Sequence, residues 1–472
     1  MRILFVKPLL NTTPMPFGSA SLEFPLGLMY LTAFIKKHGF KDVRIVHMEA
    51  ERVGFDELAR MLQEHRPDII GISALTAESL GMFRVAKIAK KYKNDCLVIA
   101  GGPHPSGDPK GTLNDNNIDL VVCGEGEQAL LNILQAYEHG TEYALIKNVW
   151  ARVNSQIVSP AKVSFLQDID ALPYPDWDAV KLEKYTLSQP MSLYLHAQKY
   201  MALFTSRGCP FQCIFCHDIF GKRFRAHSPE RVFDEISLLH YKYGIDQFEI
   251  LDDVFNFDRD RVVQIMKKII GSGMRIKLYF CNGLRGDMLD KELIDLFVEA
   301  GVVSIGVAID TASPRLQKEI RKNINFDKIK LVIEYASRKN LVVNGAFMIG
   351  FPTETLSEVI QTIRYAVLSR LDSAGFYLVQ PFAGTDLSKM AYDFGRPVVL
   401  PMSNQRPFQY VSRGSANCSN FKNWQLGLIF GVANFLFYCN PFRLIKILKF
   451  VPNKKIMRLF ISQYISRVFQ VK

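Results

Sequence analysis

A chain of 472 residues is several times longer than one hydrophobic core requires, so two or three domains with ample burial are expected and a marginal mini-protein is excluded. Apolar residues make up 48% and charged residues 22%, with 34 Phe and 18 Tyr, a globular composition that excludes a disordered chain. The net charge of +12 belongs to one end: Asp393 is the last acidic residue, twelve basic residues follow it, and residues 1–393 sum to zero.

Eight cysteines are too few for a disulfide scaffold in a chain this large, and three of them crowd between 209 and 216, which favours metal. The N-terminal MRILFVKPLL has the apolar run of a strand but no small-residue cleavage site, so no signal peptide is read and a cytoplasmic location with reduced thiols is expected. No run reaches the roughly 18 to 20 apolar residues that span a bilayer. The nearest, 426–439, is interrupted by two glycines and Asn434.

Over residues 1–140, the runs ILFVKP, VRIVHM, DIIGISAL, CLVIAGG and DLVVCGEGE alternate with helical patterns at 26–38, 55–65, 79–92 and 127–137. This alternation predicts a doubly wound α/β domain, a Rossmann-like parallel sheet that binds ligands at its carboxyl strand ends. The candidate loops there carry Ser73 and Thr76, then Gly101, Gly102, His104 and Ser106, then Gly124, Glu125 and Gly126. Each glycine also suits a plain turn, His104 reads more readily as a backbone-satisfied turn residue than as a ligand, and Glu125 suits the start of a helix.

Periodicity fades over 141–195, where LPYPDWD at 172–178 reads as part of a crossing linker. A second series fills 196–390: MALFTSRG, helix 229–243, QFEILDD, helix 259–271, KLYFCNG, helix 290–300, VVSIGVAID, a helix from 313 to 320 or beyond, LVVNGAFMIGFP, helix 355–370 and GFYLVQPF. Six strand-helix units predict a partial (β/α)6 barrel of TIM type, with its chemistry at the C-terminal strand ends.

The strongest motif is SRGCPFQCIFCH, in which Cys209, Cys213 and Cys216 follow a Cys-x3-Cys-x2-Cys spacing at the end of the first barrel strand. Three thiolates hold three irons of a 4Fe-4S cluster and leave one open. The competing reading is zinc with His217 as fourth ligand. With Phe215 as the aromatic before the third cysteine, the motif resembles that of the radical S-adenosylmethionine (radical SAM) superfamily.

That resemblance implies S-adenosylmethionine on the open iron, cleaved to methionine and a 5'-deoxyadenosyl radical by an electron from a donor such as flavodoxin or ferredoxin. It implies Phe215 at the adenine, Asp252 and Asp253 of ILDDVF near the amino group and Arg285 of NGLRGD near the carboxylate. Asp310 of IDTAS stands where many relatives have Glu, and GFPTET, with Gly350 and Pro352, resembles the family's turn after the fifth strand. Taken singly, such an Asp also serves as a helix N-cap, and Arg285 also pairs with Asp287 or Asp290.

PLGLMYL at 25–31, GGPHPS, GEGE and the Leu-Pro-x-Pro segment further resemble the branch whose barrel follows a cobalamin-binding domain. The Asp-x-His-x-x-Gly cobalt-ligating motif is absent, which implies cobalamin without a lower protein ligand, or an empty domain.

Residues 391–472 form a basic C-terminal region. Asn440 and Pro441 start a helix with Arg443, Lys446 and Lys449, and Asn453 caps a second with an apolar stripe from Met457 to Val468. Behind an apolar run containing Trp424, these helices suit an anionic membrane surface, on the inner face for a cytoplasmic protein. The alternative is that they pack on the barrel. Nucleic acid is disfavoured because no aromatic and basic interleaving stands out. The resemblance implies methylation of an unactivated carbon of a small-molecule substrate, lipid-like or a secondary metabolite. Ring formation or rearrangement, and a non-catalytic cobalamin or iron-sulfur sensor, stand as alternatives.

Overall fold

The computed structural model describes residues 1–10, 23–160, 162–186, 199–339, 341–396 and 417–450. In the N-terminal sheet, β1 (Ile3–Lys7), β2 (Val43–His47), β3 (Ile69–Ser73), β4 (Leu97–Gly101) and β5 (Leu120–Val122) pair in parallel in the order β2-β1-β3-β4-β5. Alternate residues of β1 feed opposite faces: Ile3 and Phe5 join one buried cluster, Leu4 and Val6 the other. Helices cover both faces, as a doubly wound sheet requires.

The 141–195 stretch does more than connect. It adds β6 (Val149–Val153) and β7 (Gln156–Val158), antiparallel strands that extend the sheet to seven. Their turn places Asn154 and Ser155 at φ 48° and 63°, the two left-handed residues of a tight hairpin. Trp177 of the LPYPDWD segment is buried in the same cluster that holds Met201 and Phe248 of the second domain, so the two domains share one apolar core.

In the second domain, β8 (Tyr200–Leu203) leads into β9 (Ser206–Arg207), which pairs antiparallel with β10 (Arg225–Ala226) across the cysteine loop. Then come β11 (Gln247–Ile250), β12 (Lys277–Leu284), β13 (Val302–Asp310), β14 (Val342–Ile349) and β15 (Ser373–Leu378). Their order is β15-β14-β13-β12-β11-β8, all parallel, as a six-stranded partial barrel requires. The helix expected from residue 313 is two, Pro314–Glu319 and Phe326–Arg338, because Arg321 and Asn323 take φ 55° and 48° and break it.

The helix Pro229–Tyr243 starts on Ser228, whose side chain accepts from Arg231 N, with Pro229 in its first turn. It buries Glu235, whose Oε1 has no hydrogen-bond partner, and burial pushes the carboxyl up from 4.5 to about 8 against the pull of Arg231. The folded state holds this proton more tightly, so the cost of ionisation grows from pH 4.5 and is complete above about pH 8. Glu235→Gln is therefore expected to stabilise the chain by about 1–3 kcal/mol in denaturant melts at alkaline pH. The gain should vanish below pH 4.5.

The C-terminal region forms helices Asn423–Tyr438 and Pro441–Phe450. The expected second helix from Asn453 lies outside the described residues. Arg443 and Lys446, read as facing a membrane, face the barrel instead. Arg443 donates to the carbonyls of Leu371, Val367, Ser369 and Phe437, and Lys446 pairs with Asp372 at 2.8 Å. The orphan carbonyls where the helix Leu356–Leu368 ends attract these cations.

Candidate functional site

The cysteine loop leaves β9 through Gly208, at φ 82°, where an added Cβ would lie 2.4 Å from the Arg223 carbonyl. Only glycine passes there. The loop's middle is pinned from the far side of the barrel: Ile214 N donates to Ile320 O, and Leu387 N donates to Ile214 O. Ile214 is buried with Leu316, Ile320, Phe351 and Leu387, and Phe215 packs on this cluster with its ring 6.1 Å from Phe351.

Cys213 is buried, Cys209 half-buried and Cys216 exposed. A hydrogen bond from Cys216, helped by Lys322 and Arg285, lowers the Cys213 thiol to about 7, so a thiolate is within reach at neutral pH. Among the described residues no three His, Cys, Asp or Glu side chains close on one point as a single metal ion requires. A four-iron cluster asks less of them, since each thiolate takes a different iron.

The strand-end residues divide into two groups. Asp252 is turned inward and saturated, accepting from Thr205 N, Thr205 Oγ1 and Ser206 Oγ, each at 2.6 Å. It ties β11 to the strand that launches the cysteine loop. Asp253, next to it, lies beside His217 with its carboxyl raised by burial, and both line an open cavity.

Arg285 pairs with Asp287 at 2.8 Å, the simpler of its expected alternatives. Its guanidinium also lies 4.0 Å from the Phe211 ring centre, and its buried Nη1 has no partner. Asp310 takes φ 63° and pairs with half-buried Lys322 at 2.8 Å. In the GFPTET turn, Glu354 accepts from Gly350 N and Phe351 N, and Pro352 is buried with them. Burial raises this carboxyl to about 7.

On the other domain, Ser73, Gly101, Gly102, Gly124, Glu125 and Gly126 converge on that same cavity, of about 320 Å³. Its opposite wall comes from the barrel: Phe204, Arg207, His217, Phe220, Asp253 and Asn282. Gly102, at φ 93°, disfavours a side chain, and a Cβ there would crowd Ser73 Oγ at 3.0 Å and the Ala74 backbone at 3.1 Å. Bare backbone at two strand ends, apolar side chains such as Leu26 and Leu130 and a few polar groups suit a large planar cofactor.

Three residues expected to bind there do not line the cavity. His104 is buried with its ring edge-on to Phe83, and burial lowers its pKa. Ser106 accepts from Gly124 N and so holds the GEGE loop, while Thr76 opens a short 3-10 helix.

The sequence alone does not single out Arg207, Arg225, Lys7 or Lys322. Arg207, two residues before Cys209, donates to Glu125 at 3.0 Å and Glu127 at 2.7 Å, between the rings of Tyr30 and Phe220. Arg225 donates to both oxygens of Glu125, at 2.9 and 2.8 Å. Glu125, Glu127, Arg207 and Arg225 are all buried. Lys7, at the end of β1, pairs with buried Glu78 at 2.6 Å. Only Arg207 had a visible signal, its place directly before the Gly-Cys of the motif.

A doubly wound domain and a partial barrel that meet at a cysteine loop define a cobalamin-domain radical S-adenosylmethionine protein. Two family models agree: the B12 binding domain matches residues 19–134 and the Radical SAM superfamily matches residues 203–366. The chain is 32% identical over 425 residues to an uncharacterized methyltransferase of Pyrococcus horikoshii, covering 89% of each, and it belongs to this family.

Two solved folds are similar. TsrM of Kitasatospora setae, a radical S-adenosylmethionine methyltransferase with cobalamin and a 4Fe-4S cluster bound, gives a TM-score of 0.67 at 18% identity. The match spans 89% of this chain and 80% of that one. OxsB, a cobalamin-dependent S-adenosylmethionine radical enzyme with aqua-cobalamin and S-adenosylmethionine bound, gives 0.72 at 15% identity over 99% and 71%.

Proposed function

We propose that this radical SAM enzyme is a cobalamin-dependent C-methyltransferase acting on an unactivated carbon of a small molecule, lipid-like or a secondary metabolite. The observation that carries the reading is the shared cavity, with the glycine loops of the N-terminal domain on one wall and the cysteine loop on the other. Methyltransferases among the similar proteins support it. Bound there, a 4Fe-4S cluster and S-adenosylmethionine supply a radical able to take hydrogen from carbon, and cobalamin carries a methyl group.

In this reading Cys209, Cys213 and Cys216 hold the cluster. Phe215, Asp253, Arg285 and the Gly350–Pro352 turn border S-adenosylmethionine, with the partnerless Arg285 Nη1 as a donor for its carboxylate. Asp252 and Asp310 act as positioning residues through Thr205 and Lys322. Ser73, Gly101, Gly102, Gly124 and Gly126 cradle cobalamin, while His104, Ser106 and Thr76 support those loops. Among the described residues no imidazole of the N-terminal loops lines the cavity, so these loops would offer cobalamin no histidine ligand.

The test is anaerobic turnover with methyl-labelled S-adenosylmethionine and a reduced flavodoxin or ferredoxin, followed by mass spectrometry of the product. Label in the product, together with 5'-deoxyadenosine, is expected. A product with 5'-deoxyadenosine but no label overturns methyl transfer in favour of ring formation or rearrangement. Absence of 5'-deoxyadenosine with several candidate substrates overturns this reading in favour of the non-catalytic sensor.

A further inference from the structure

A TIM-type barrel fills its interior with layers of bulky branched side chains. In this barrel three adjacent strands bring none to two successive levels. Gly306, Asn344 and Ser373 lie in register on β13, β14 and β15, and Ala308, Ala346 and Gly375 lie in register one step nearer the C-terminal strand ends. All of these but Ser373 are half-buried, whereas Ile305, Val307 and Phe347, which alternate with them, are 0% exposed. Alternate residues of a strand point to opposite faces, so the helix side of the sheet is closed and its inner side is open.

The lining of this space is polar. Asn344 donates through Nδ2 to Ser304 Oγ at 2.6 Å and accepts from Ser373 Oγ, a chain of hydrogen bonds across three strands that fixes the amide. Cys281 of β12 is hydrogen-bonded to Glu249 of β11. Tyr377, 42% exposed, folds back over Gly375, where an added Cβ would lie 2.5 Å from its hydroxyl. The half-buried apolar residue on β14, Met348, packs on the cluster that holds Phe215. β12 is bulged here: Phe280 pairs with Ile305 and Leu284 with Val307, so Cys281, Asn282 and Gly283 stand against Gly306 alone. Such a bulge re-aims a side chain. Asn282 lines the cavity between the two domains, as do Leu251 and Phe204, so the strands that enclose the interior also border that cavity.

We propose that the substrate held in this interior is a polar, water-soluble molecule and not a lipid-like one, and that Asn344 selects it by hydrogen bonding. The inference rests on the methyltransferase reading and narrows its substrate class. A hydrocarbon chain here would strip water from Asn344, Ser304, Ser373 and the Tyr377 hydroxyl and return no hydrogen bond. A substrate hydroxyl, amide or carbonyl keeps them paired. Asn344 Nδ2 carries a second hydrogen beyond the one given to Ser304, a donor for an oxygen on the substrate. A site built to hydrogen-bond its substrate rejects an analogue without that group far more strongly than an apolar pocket rejects an extra methylene.

The test supplies the reconstituted full chain with methyl-labelled S-adenosylmethionine, reduced flavodoxin and one of two pools from the cells that make the protein. One pool is the water-soluble metabolites, the other the chloroform-extracted lipids in detergent micelles. Label in a water-soluble product is expected. Label in a chloroform-soluble product overturns this inference alone, and no label from either pool overturns methyl transfer and this inference with it. With the acceptor purified from the aqueous pool, Asn344→Leu should raise its KM by about 10–100-fold. The thermal midpoint and the affinity for S-adenosylmethionine by equilibrium dialysis should hold. Asn344→Asp, which still accepts from Ser373, should recover part of the loss. A native KM in Asn344→Leu overturns the role of Asn344. If that variant lowers the midpoint, Ala346→Leu, which fills the next level with an apolar group, carries the test, and a native KM there overturns the inference.

Discussion

Cys216→Ala is expected to abolish formation of 5'-deoxyadenosine while leaving the fold intact. Cys216 is exposed, so its removal costs little packing, within about 0.5 kcal/mol on a melt. Its loss removes one of only three thiolates that the motif offers. Changing a group that merely supports a metal ligand costs about 10–100-fold, so deleting the ligand itself should exceed 100-fold in cluster retention. Iron and sulfide per chain after anaerobic reconstitution measure the first step, and 5'-deoxyadenosine by chromatography the second. Cys213→Ala should give the same loss of iron with a lower thermal midpoint, since that side chain is buried. If the Cys216 variant keeps full iron, or if native protein carries stoichiometric zinc and no iron, the cluster assignment fails.

The architecture is legible in the sequence wherever periodicity and punctuation agree. The helix 229–243 keeps its expected limits because Ser228 and Pro229 mark its start and Gly244, at φ 67°, marks its end. The helix from Leu356 starts at a Thr355–Glu358 capping box that the letters TLSE already spell. Where punctuation is weak, elements go unread. The β6–β7 hairpin turns on Asn154–Ser155 with no glycine, and the break between Pro314–Glu319 and Phe326–Arg338 starts at Arg321, a residue that rarely adopts such an angle.

The site divides along a similar line. Cysteines at fixed spacing and glycines at strand ends are local signals. Glu125 and Arg207 stand 82 residues apart, and nothing local in either says that they meet. Periodicity also cannot say which face of a helix meets the barrel. For Pro441–Phe450 the charged face does, because the carbonyls around Val367 and Ser369 supply acceptors that water would otherwise provide.

Arg207→Lys is expected to cost about 1–3 kcal/mol of stability, the loss that follows when a buried acceptor is left without its donor. The guanidinium reaches Glu125 through Nη1 and Glu127 through Nη2, at 3.0 and 2.7 Å, while Tyr30 and Phe220 hold its plane. A lysine ammonium is a single point on a flexible stem and cannot serve both carboxylates in that slot. Arg225 continues to neutralise Glu125, so the larger penalty falls on Glu127. Adding Glu127→Gln to Arg207→Lys should therefore recover part of the loss, with a coupling energy of about 0.5–3 kcal/mol in the double-mutant cycle.

A merely structural bridge would end there. Arg207, however, joins the GEGE loop on one wall of the cavity to the strand that turns through Gly208 into Cys209 on the other. Distortion at this residue should reach both cofactor sites at once. At a temperature where the variant is still folded, cobalamin affinity by equilibrium dialysis and 5'-deoxyadenosine formation should both fall, each by about 10–100-fold. A variant that loses stability yet keeps both functions would reduce Glu125, Glu127, Arg207 and Arg225 to a simple weld between domains. One that loses both while Glu235→Gln, in the same chain, loses neither would show that the ionic cluster sets the distance between the two halves of the site.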